Sequence, residues 1–348
     1  MRLRERKGFK FSIIGIIVLM LLVTIVPIPY FIEMPGSSEN LRDYVSVDGK
    51  RDKYDGSFML TTVSVQQATV ATLIKGYINP TNDLISKKEM MGTDSNEEYD
   101  EMQRYNMETS QNIATQVALD FAKEPYKVDY KGVYVMSVDE KSNFSHRLKV
   151  GDTITQIDDK KIETSKDLIS YIKNKRVDEE VTITYESNGK IKKVSGDLIS
   201  LPETKKAGMG ISLVDHTEIE TEQDVKFNTE EIGGPSAGLM FTLELYSLIT
   251  KTDIRNGKDI AGTGTISTDG VVGRIGGIDK KVIAADQEGA ELFFAPDDLI
   301  EKEDKKLNPK IKTNYQEAKD AVEKNNLSIK VIPVKTVKDA LDYLEKEK

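Results

Sequence analysis

Gly233 to Thr250 reads GGPSAGLMFTLELYSLIT. From Leu239 onward it is apolar on nearly every side at helical spacing, which marks a helix enclosed in a core rather than one lying on a surface. The glycines, proline and serine before it leave the Ser236 hydroxyl uncrowded at the helix entry. There, backbone N–H groups and the positive end of the helix dipole can stabilise a developing oxyanion, with Gly234, Pro235 and Ala237 as the surrounding backbone. A simpler role, a serine helix cap, is equally open to these residues. Outward from the helix, the segment 201–348 alternates strands and helices: VKFNT, a hairpin over Ile260 to Gly273 turning at Asp269-Gly270, a helix from Asp279, ELFFAP, SIKVIPV and TVKDALDYLEK. That alternation predicts an α/β or α+β domain.

A serine nucleophile needs a base. The chain has no cysteine and two histidines, His146 and His216, in 348 residues. Thiolate chemistry and thiolate metal sites are thereby excluded, and no H-E-x-x-H helix supports a metal hydrolase. No cofactor is called for. A net charge of −9 makes a poor nucleic-acid binder. A lysine after the second glycine-rich turn, Gly273-Arg274-Ile275-Gly276-Gly277-Ile278-Asp279-Lys280-Lys281, is the better candidate base. With Asp279 as the expected N-cap, Lys281 falls in the first turn, where the helix dipole and desolvation both depress an ammonium pKa. The plain alternative is that Lys280 and Lys281 are solvated surface charges. Pairing Ser236 with His216 and Asp215 as a Ser-His-Asp triad is a third possibility, although LVDHTEIETEQD reads as a polar loop. The acidic pairs Asp158-Asp159 and Asp297-Asp298 read as solvated turns.

Upstream, Tyr126 to about 200 switches to period two: YKGVYVMSV, DTITQIDDKKI, a helix over Ser165 to Lys175, and the hairpin VTITYESNGKIKKVSG. Before it, SFMLTTVSV (57–65) reads as a strand, 70–77 as an apolar helix, and 86–124 as helices that Pro125 ends. Methionines in that stretch read as core packing, and the polar run 93–101 as a loop or exposed helix start. At the front, Arg2, Arg4, Arg6, Lys7 and Lys10 precede Phe11 to Ile32, an uncharged run long enough to span a bilayer. It ends in Pro27, Pro29 and Tyr30 rather than small residues, so it reads as a retained anchor, not a cleaved signal peptide. The basic flank places 1–10 in the cytoplasm and everything after the span outside it, at the cell membrane as a single-pass protein.

Two sets of motifs resemble known families. Gly132-Val133-Tyr134-Val135, Arg147-Leu148-Lys149-Val150-Gly151-Asp152 and Ile157-Asp158-Asp159-Lys160, in that order, resemble a PDZ domain over 126–200. The resemblance implies that Gly132 lies in a loop offering N–H groups to a peptide carboxylate, that Val133 to Val135 accept a peptide as an added strand, and that Ser165 to Lys175 walls the groove. A β-module that binds nothing is the alternative. GGPSAG with GRIGGIDKK resembles the proteolytic domain of the Lon family over 208–334. It implies that Ser236 is the nucleophile, Lys281 rather than Lys280 its base, and Thr263 in AGTGTI the hydroxyl that holds the lysine. Gly233 departs from the aspartate common before GPSAG, which bears on how the loop is held.

The whole order is similar to membrane-anchored PDZ and Lon-like serine peptidases of Gram-positive bacteria, some of which process peptide pheromones. The early strand and 33–125 would then belong to the protease fold, with the PDZ module inserted. The expected fold is thus α+β and multidomain: a transmembrane helix, a PDZ-like β module and a Lon-type α/β proteolytic domain. No phosphate-binding G-x-x-x-x-G-K-[ST] loop occurs, so the expected activity is ATP-independent cleavage of exported peptides or flexible segments. The expected partners are peptide or unfolded protein substrates and the membrane, with assembly into a homo-oligomer implied by the family. A catalytically silent membrane-anchored scaffold that binds peptides through the PDZ module is the competing function.

Overall fold

The computed structural model describes residues 2–92, 95–202, 204–229 and 232–347, with the side chains of 2–13, 75 and 77 outside the description. In chain order its principal elements are α1 (Arg2–Ile25), β1 (Pro27–Asn40), β2 (Ser57–Thr69), α2 (Val70–Ile78), β3 (Asp83–Ser86), α3 (Asn96–Ala122), β4 (Tyr126–Val138), β5 (Thr153–Ile157), α4 (Ser165–Ile172), β6 (Glu180–Ser187) and β7 (Lys190–Asp197). They continue with β8 (Ile211–Thr221), α5 (Gly238–Thr250), β9 (Asp259–Gly262), α6 (Ile278–Gln287), β10 (Leu292–Pro296), α7 (Asn314–Asn325), β11 (Lys330–Val334) and α8 (Val337–Lys346).

Two sheets organise the chain. The first has the order β11-β10-β9-β2-β1-β3, and β9 pairs in parallel with both β2 and β10. Parallel pairing needs a long crossover, and between β2 and β9 it contains the entire second sheet. That second sheet, β8-β4-β5-β6-β7, is antiparallel throughout. Strand β8 pairs along nearly all of β4, so the boundary expected at residue 200 falls short of the module's last strand.

Each sheet has its own core. Helix α5 fills the first: Leu239, Met240, Phe241, Leu243 and Leu245 are fully buried against Phe58, Leu60 and Ile260, as its all-round apolar sequence dictates. On the other side of that sheet, α6 and α7 pack over Ala261, Phe293 and Ala295. The second core gathers Val133, Val135, Ile154, Ile157, Leu168 and Ile183. Helix α3 starts at a capping box, Ser95 with Glu98, and ends in a left-handed Lys123 before Pro125. Of the polar run 93–101, Thr93 and Asp94 lie outside the described residues.

Three expectations change. The uncharged run 11–32 is not one helix: α1 ends at Ile25 and the chain is extended from Pro27. Pro27 and Pro29 cannot supply helical N–H groups, and Phe31 and Ile32 are instead buried between β2 and β3. Among the described residues no helix is long and apolar enough to cross a membrane. The hairpin at Asp269-Gly270 is reduced to Thr265–Ile266 against Val272–Gly273, because 259–262 is drawn into the parallel sheet. Finally, Asp158 is no free turn: it accepts from Thr182 N at 2.8 Å, the Tyr171 hydroxyl at 2.8 Å and Lys175 at 3.1 Å.

Candidate active site

The Ser236 Oγ lies 2.8 Å from the Lys281 Nζ, across 45 positions of sequence. Helix α5 begins at Gly238, with no side-chain cap, so the Ser236 hydroxyl is not used as one. Its carbonyl instead accepts the Gly264 amide at 2.8 Å and the Thr263 hydroxyl at 3.0 Å. Thr263 therefore fixes the backbone of the serine, not the lysine as expected. What holds Lys281 is a residue that no motif marked: its Nζ donates to the carbonyl of Thr61 on β2 at 2.7 Å. The Thr61 hydroxyl donates in turn to Gly262 O at 3.2 Å, tying this point of β2 to β9.

Lys281 sits on α6, which starts after Gly277 rather than at an Asp279 cap, and its side chain is buried. Taking the ammonium out of water costs more than its neighbours return, so burial lowers its pKa to about 8, with the Glu33 carboxylate pulling weakly the other way. Lys280, on the next position, is also buried but faces a different set. Burial works against its charge, and hydrogen bonds to Asp83 and Asp279 outweigh that, so its pKa is raised. One lysine is thus fixed as a cation and the other is tuned toward neutrality. Neither is a solvated surface charge.

The turn that carries them is held from outside. Arg274 donates to Asp298 at 2.9 Å, to Lys312 O at 2.8 Å and to Glu317 at 2.7 Å. Asp298 also accepts the Asn314 amide at 2.6 Å and is buried, so it is a structural ligand rather than a solvated turn.

Of the three backbone positions expected to face an oxyanion, Pro235 has no N–H. Gly234 spends its N–H on Gln103 O at 2.9 Å. The amides of Ser236 and Ala237 have no acceptor among the described residues, and they are the donors left for an oxyanion. A cleft of about 980 Å³ opens onto this point, lined by β1 and β2 from Glu33 to Ser64 and by Gly233 to Ala237.

Asp215 and His216 do not belong to this site. Both lie on β8 rather than in a loop. The Asp215 carboxylate accepts the Ser165 amide at 2.6 Å, and His216 Nδ1 is 2.9 Å from the Thr153 hydroxyl. The triad reading loses its base to the second sheet.

Gly132 to Val135 are also placed differently from expectation. Gly132 is inside β4, not in a loop, and β4 is paired with β8 on one side and β5 on the other. Val133, Tyr134 and Val135 are buried. A peptide cannot add to a strand with both edges filled. The open edge is the start of β8, residues 211–214, beside α4 and directly after Gly208-Met209-Gly210; further along, α3 occupies the carbonyls of Asp215 and Thr217. The Gly-x-Gly ahead of the alternating ISLV was the signal for it in the sequence.

Two segments match known families: 103–198 the PDZ domain, and 230–343 the Lon protease (S16) C-terminal proteolytic domain. Among curated proteins the chain is similar to Lon protease 2 of Bacillus subtilis, 34% identical over 113 residues, which is 32% of this chain and 17% of that protein. It is similar to the Lon protease of Acinetobacter baumannii, 46% identical over 67 residues, 19% of this chain and 8% of that one. The Lon protease of Trichlorobacter lovleyi is 31% identical over 108 residues, covering 31% and 11%. The chain spans less than a fifth of the length of these relatives. Among solved structures, the PDZ domain of an SdrC-like protein from Listeria monocytogenes is 38% identical, covering 25% of this chain and 93% of that one at a TM-score of 0.25. The counterpart from Listeria innocua is 35% identical, covering 25% and 97% at 0.24. A PDZ domain and a Lon-type proteolytic domain are therefore combined in one mixed α/β chain.

Proposed function

We propose that the chain is an ATP-independent serine endopeptidase using a Ser236–Lys281 dyad. The observation that carries this reading is the 2.8 Å contact between Ser236 Oγ and a buried Lys281 Nζ whose pKa is brought down to about 8. A neutral amine at that distance can accept a proton near neutral pH. Ser236 Oγ attacks the peptide carbonyl carbon as its proton passes to Lys281. The oxyanion of the tetrahedral intermediate is met by the Ser236 and Ala237 N–H groups. Collapse releases the amine, which takes the proton from Lys281, and Lys281 then deprotonates the water that hydrolyses the acyl ester. Substrates are flexible exported peptides or loose segments, since no phosphate-binding loop is there to drive unfolding. The open edge of β8 beside α4 is the place for peptide addition by the PDZ domain.

The same reading attaches the chain to a membrane by α1. Supporting it, residues 14 to 22 of α1 are exposed apolar side chains with few neighbours, Leu19 at 61% and Met20 at 65% among them. A stretch such as 14–22, exposed and apolar all round the helix, fits lipid better than water.

The test is cleavage of an unstructured protein by the full chain in lipid vesicles without ATP. Ser236→Ala and Lys281→Met should each abolish it, and a serine-directed fluorophosphonate should label the parent alone. Cleavage undiminished in Ser236→Ala would overturn the dyad. Inactivity of the parent with no labelling would favour the peptide-binding scaffold. Lys280→Ala is a poor control, because it leaves Glu33, Asp83 and Asp279 facing one another without their cation.

A further inference from the structure

Helix α3 touches both halves of the molecule at adjacent turns. On one face, Gln103 O accepts the Gly234 amide at 2.9 Å and the Ser110 hydroxyl donates to Pro235 O at 3.1 Å. These are the two residues immediately before the nucleophile. On the other face, Tyr105 stacks on Tyr134 of β4 with ring centroids 3.9 Å apart, and its hydroxyl donates to Asp215 O on β8 at 3.0 Å. About two helical turns further on, Asn112 Nδ2 donates to Thr217 O on the same strand at 2.8 Å. His216, between them, stands edge-on to both tyrosine rings. Gly233 belongs to this arrangement: a Cβ there would come within 2.9 Å of Gln103 Cβ, so the glycine permits the approach of α3.

We propose that the PDZ sheet positions the nucleophile loop through α3, with Tyr105 and Asn112 as positioning residues for the peptidase reaction. This rests on the dyad reading above, and it gives the PDZ domain a role in chemistry that is separate from capturing substrate. The physical basis is that α3 is hydrogen-bonded both to β8 and to the 233–235 loop, each contact between 2.8 and 3.1 Å. The loop has no side-chain cap at α5: Thr263 and Gly264 hold it at the Ser236 carbonyl, and α3 holds it at Gly234 and Pro235. Loosening the PDZ side of α3 lets the helix shift by fractions of an ångström, and a misplaced nucleophile lowers turnover without changing substrate affinity.

The experiment uses the full chain in vesicles, with a short chromogenic peptide blocked at its C-terminus so that capture at the β8 edge is not required. Tyr105→Phe removes the hydroxyl and keeps the stack, Tyr105→Ala removes both, and Asn112→Ala removes the second clamp. Tyr185→Phe, which deletes a tyrosine hydroxyl bond to Arg147 O inside the PDZ core, is the control. Tyr105→Ala should lower kcat and the rate of fluorophosphonate labelling of Ser236 about tenfold or more with KM within about twofold, and Tyr105→Phe and Asn112→Ala should fall between it and the parent. The Gly234 amide should exchange with deuterium faster in the same order, and Tyr185→Phe should match the parent in every readout. Unchanged kcat with a raised KM, or Gly234 exchange that ignores all three variants, overturns the proposal. Should the parent neither cleave nor label, the dyad reading fails, and the exchange series alone decides the coupling.

Discussion

At the scale of single residues, the proposed dyad turns on why one of two adjacent lysines gives up its proton more readily. Lys281 is buried with an amine aimed at Ser236 and a backbone carbonyl, neither of them charged, whereas Lys280 meets carboxylates directly. With Lys281 lowered to about 8, activity should rise about tenfold per pH unit below pH ~8 and level off above it. Glu33 stabilises the ammonium form, so removing its charge lowers the lysine pKa further. Glu33→Gln should therefore move the acidic limb of the pH–kcat/KM profile to lower pH. A limb that stays in place or moves upward would show that Glu33 does not act on Lys281. Ser236 and Lys281 were legible in the sequence because their glycine-rich turns have distinctive spacing. Thr61 was not, since it serves through a carbonyl that every residue possesses. Thr263 was half legible: its motif marked it, but the direction of its hydroxyl depends on the packing of β9 against α5.

Among the elements, α5 shows how a helix can be readable in outline and opaque in its polar details. Its apolar run fixed it as buried, yet Glu244 is in the middle of it with no exposure, facing Arg255 at 3.2 Å. Arg255 also meets Asp52 at 2.5 Å and lies over the Phe58 ring, so the loop before β2 is tied to the helix that starts two residues after Ser236. Nothing local in the sequence pairs Asp52 with Glu244 and Arg255, because the three come together only after both sheet halves assemble. Arg255→Met leaves Glu244 buried without its cation and Asp52 with Arg42 alone, at 3.3 Å, and should cost about 3–5 kcal/mol in a denaturation curve. Burial raises the Glu244 pKa to about 7, ahead of the opposing pull of Arg255. The folded state then holds this proton more tightly than the unfolded chain, so its contribution is complete below pH ~4.5 and is lost as pH rises through about 7. Tm should fall between pH 5 and 8 by this route, and Glu244→Gln should flatten that slope. A steeper slope in Glu244→Gln would assign the pH dependence elsewhere. Similar reasons hid the placement of His216 and Asp298: strand pairing and an arginine from a distant turn decide them.

For the whole molecule, the order of modules was readable because each has its own hydrophobic period, but their joints were not. The PDZ sheet closes with β8, which starts fifteen residues beyond the last strand that the periodicity assigned to it, and the apolar N-terminal run divides between a helix and a strand of the first sheet. That division makes a quantitative statement about α1. Among the described residues its main contacts are with α2 and β2, while β1 begins immediately after it and is paired with β2 and β3. Burial of apolar surface against protein therefore stabilises β1 and contributes little to α1, whose exposed side chains would gain roughly 25 cal/mol per Å² on leaving water. A chain beginning at Pro27 should keep its Tm within about 2 °C and its cleavage of the short blocked peptide, because the sheet and dyad are complete without α1. The same truncation should no longer float with phosphatidylcholine vesicles in a density gradient, where the full chain floats. If the truncated chain floated equally well, the exposed apolar residues of α2, Ile74 and Ile78, would have to carry the attachment. If it unfolded instead, α1 would be part of the globular core and its apolar face would be accounted for without lipid.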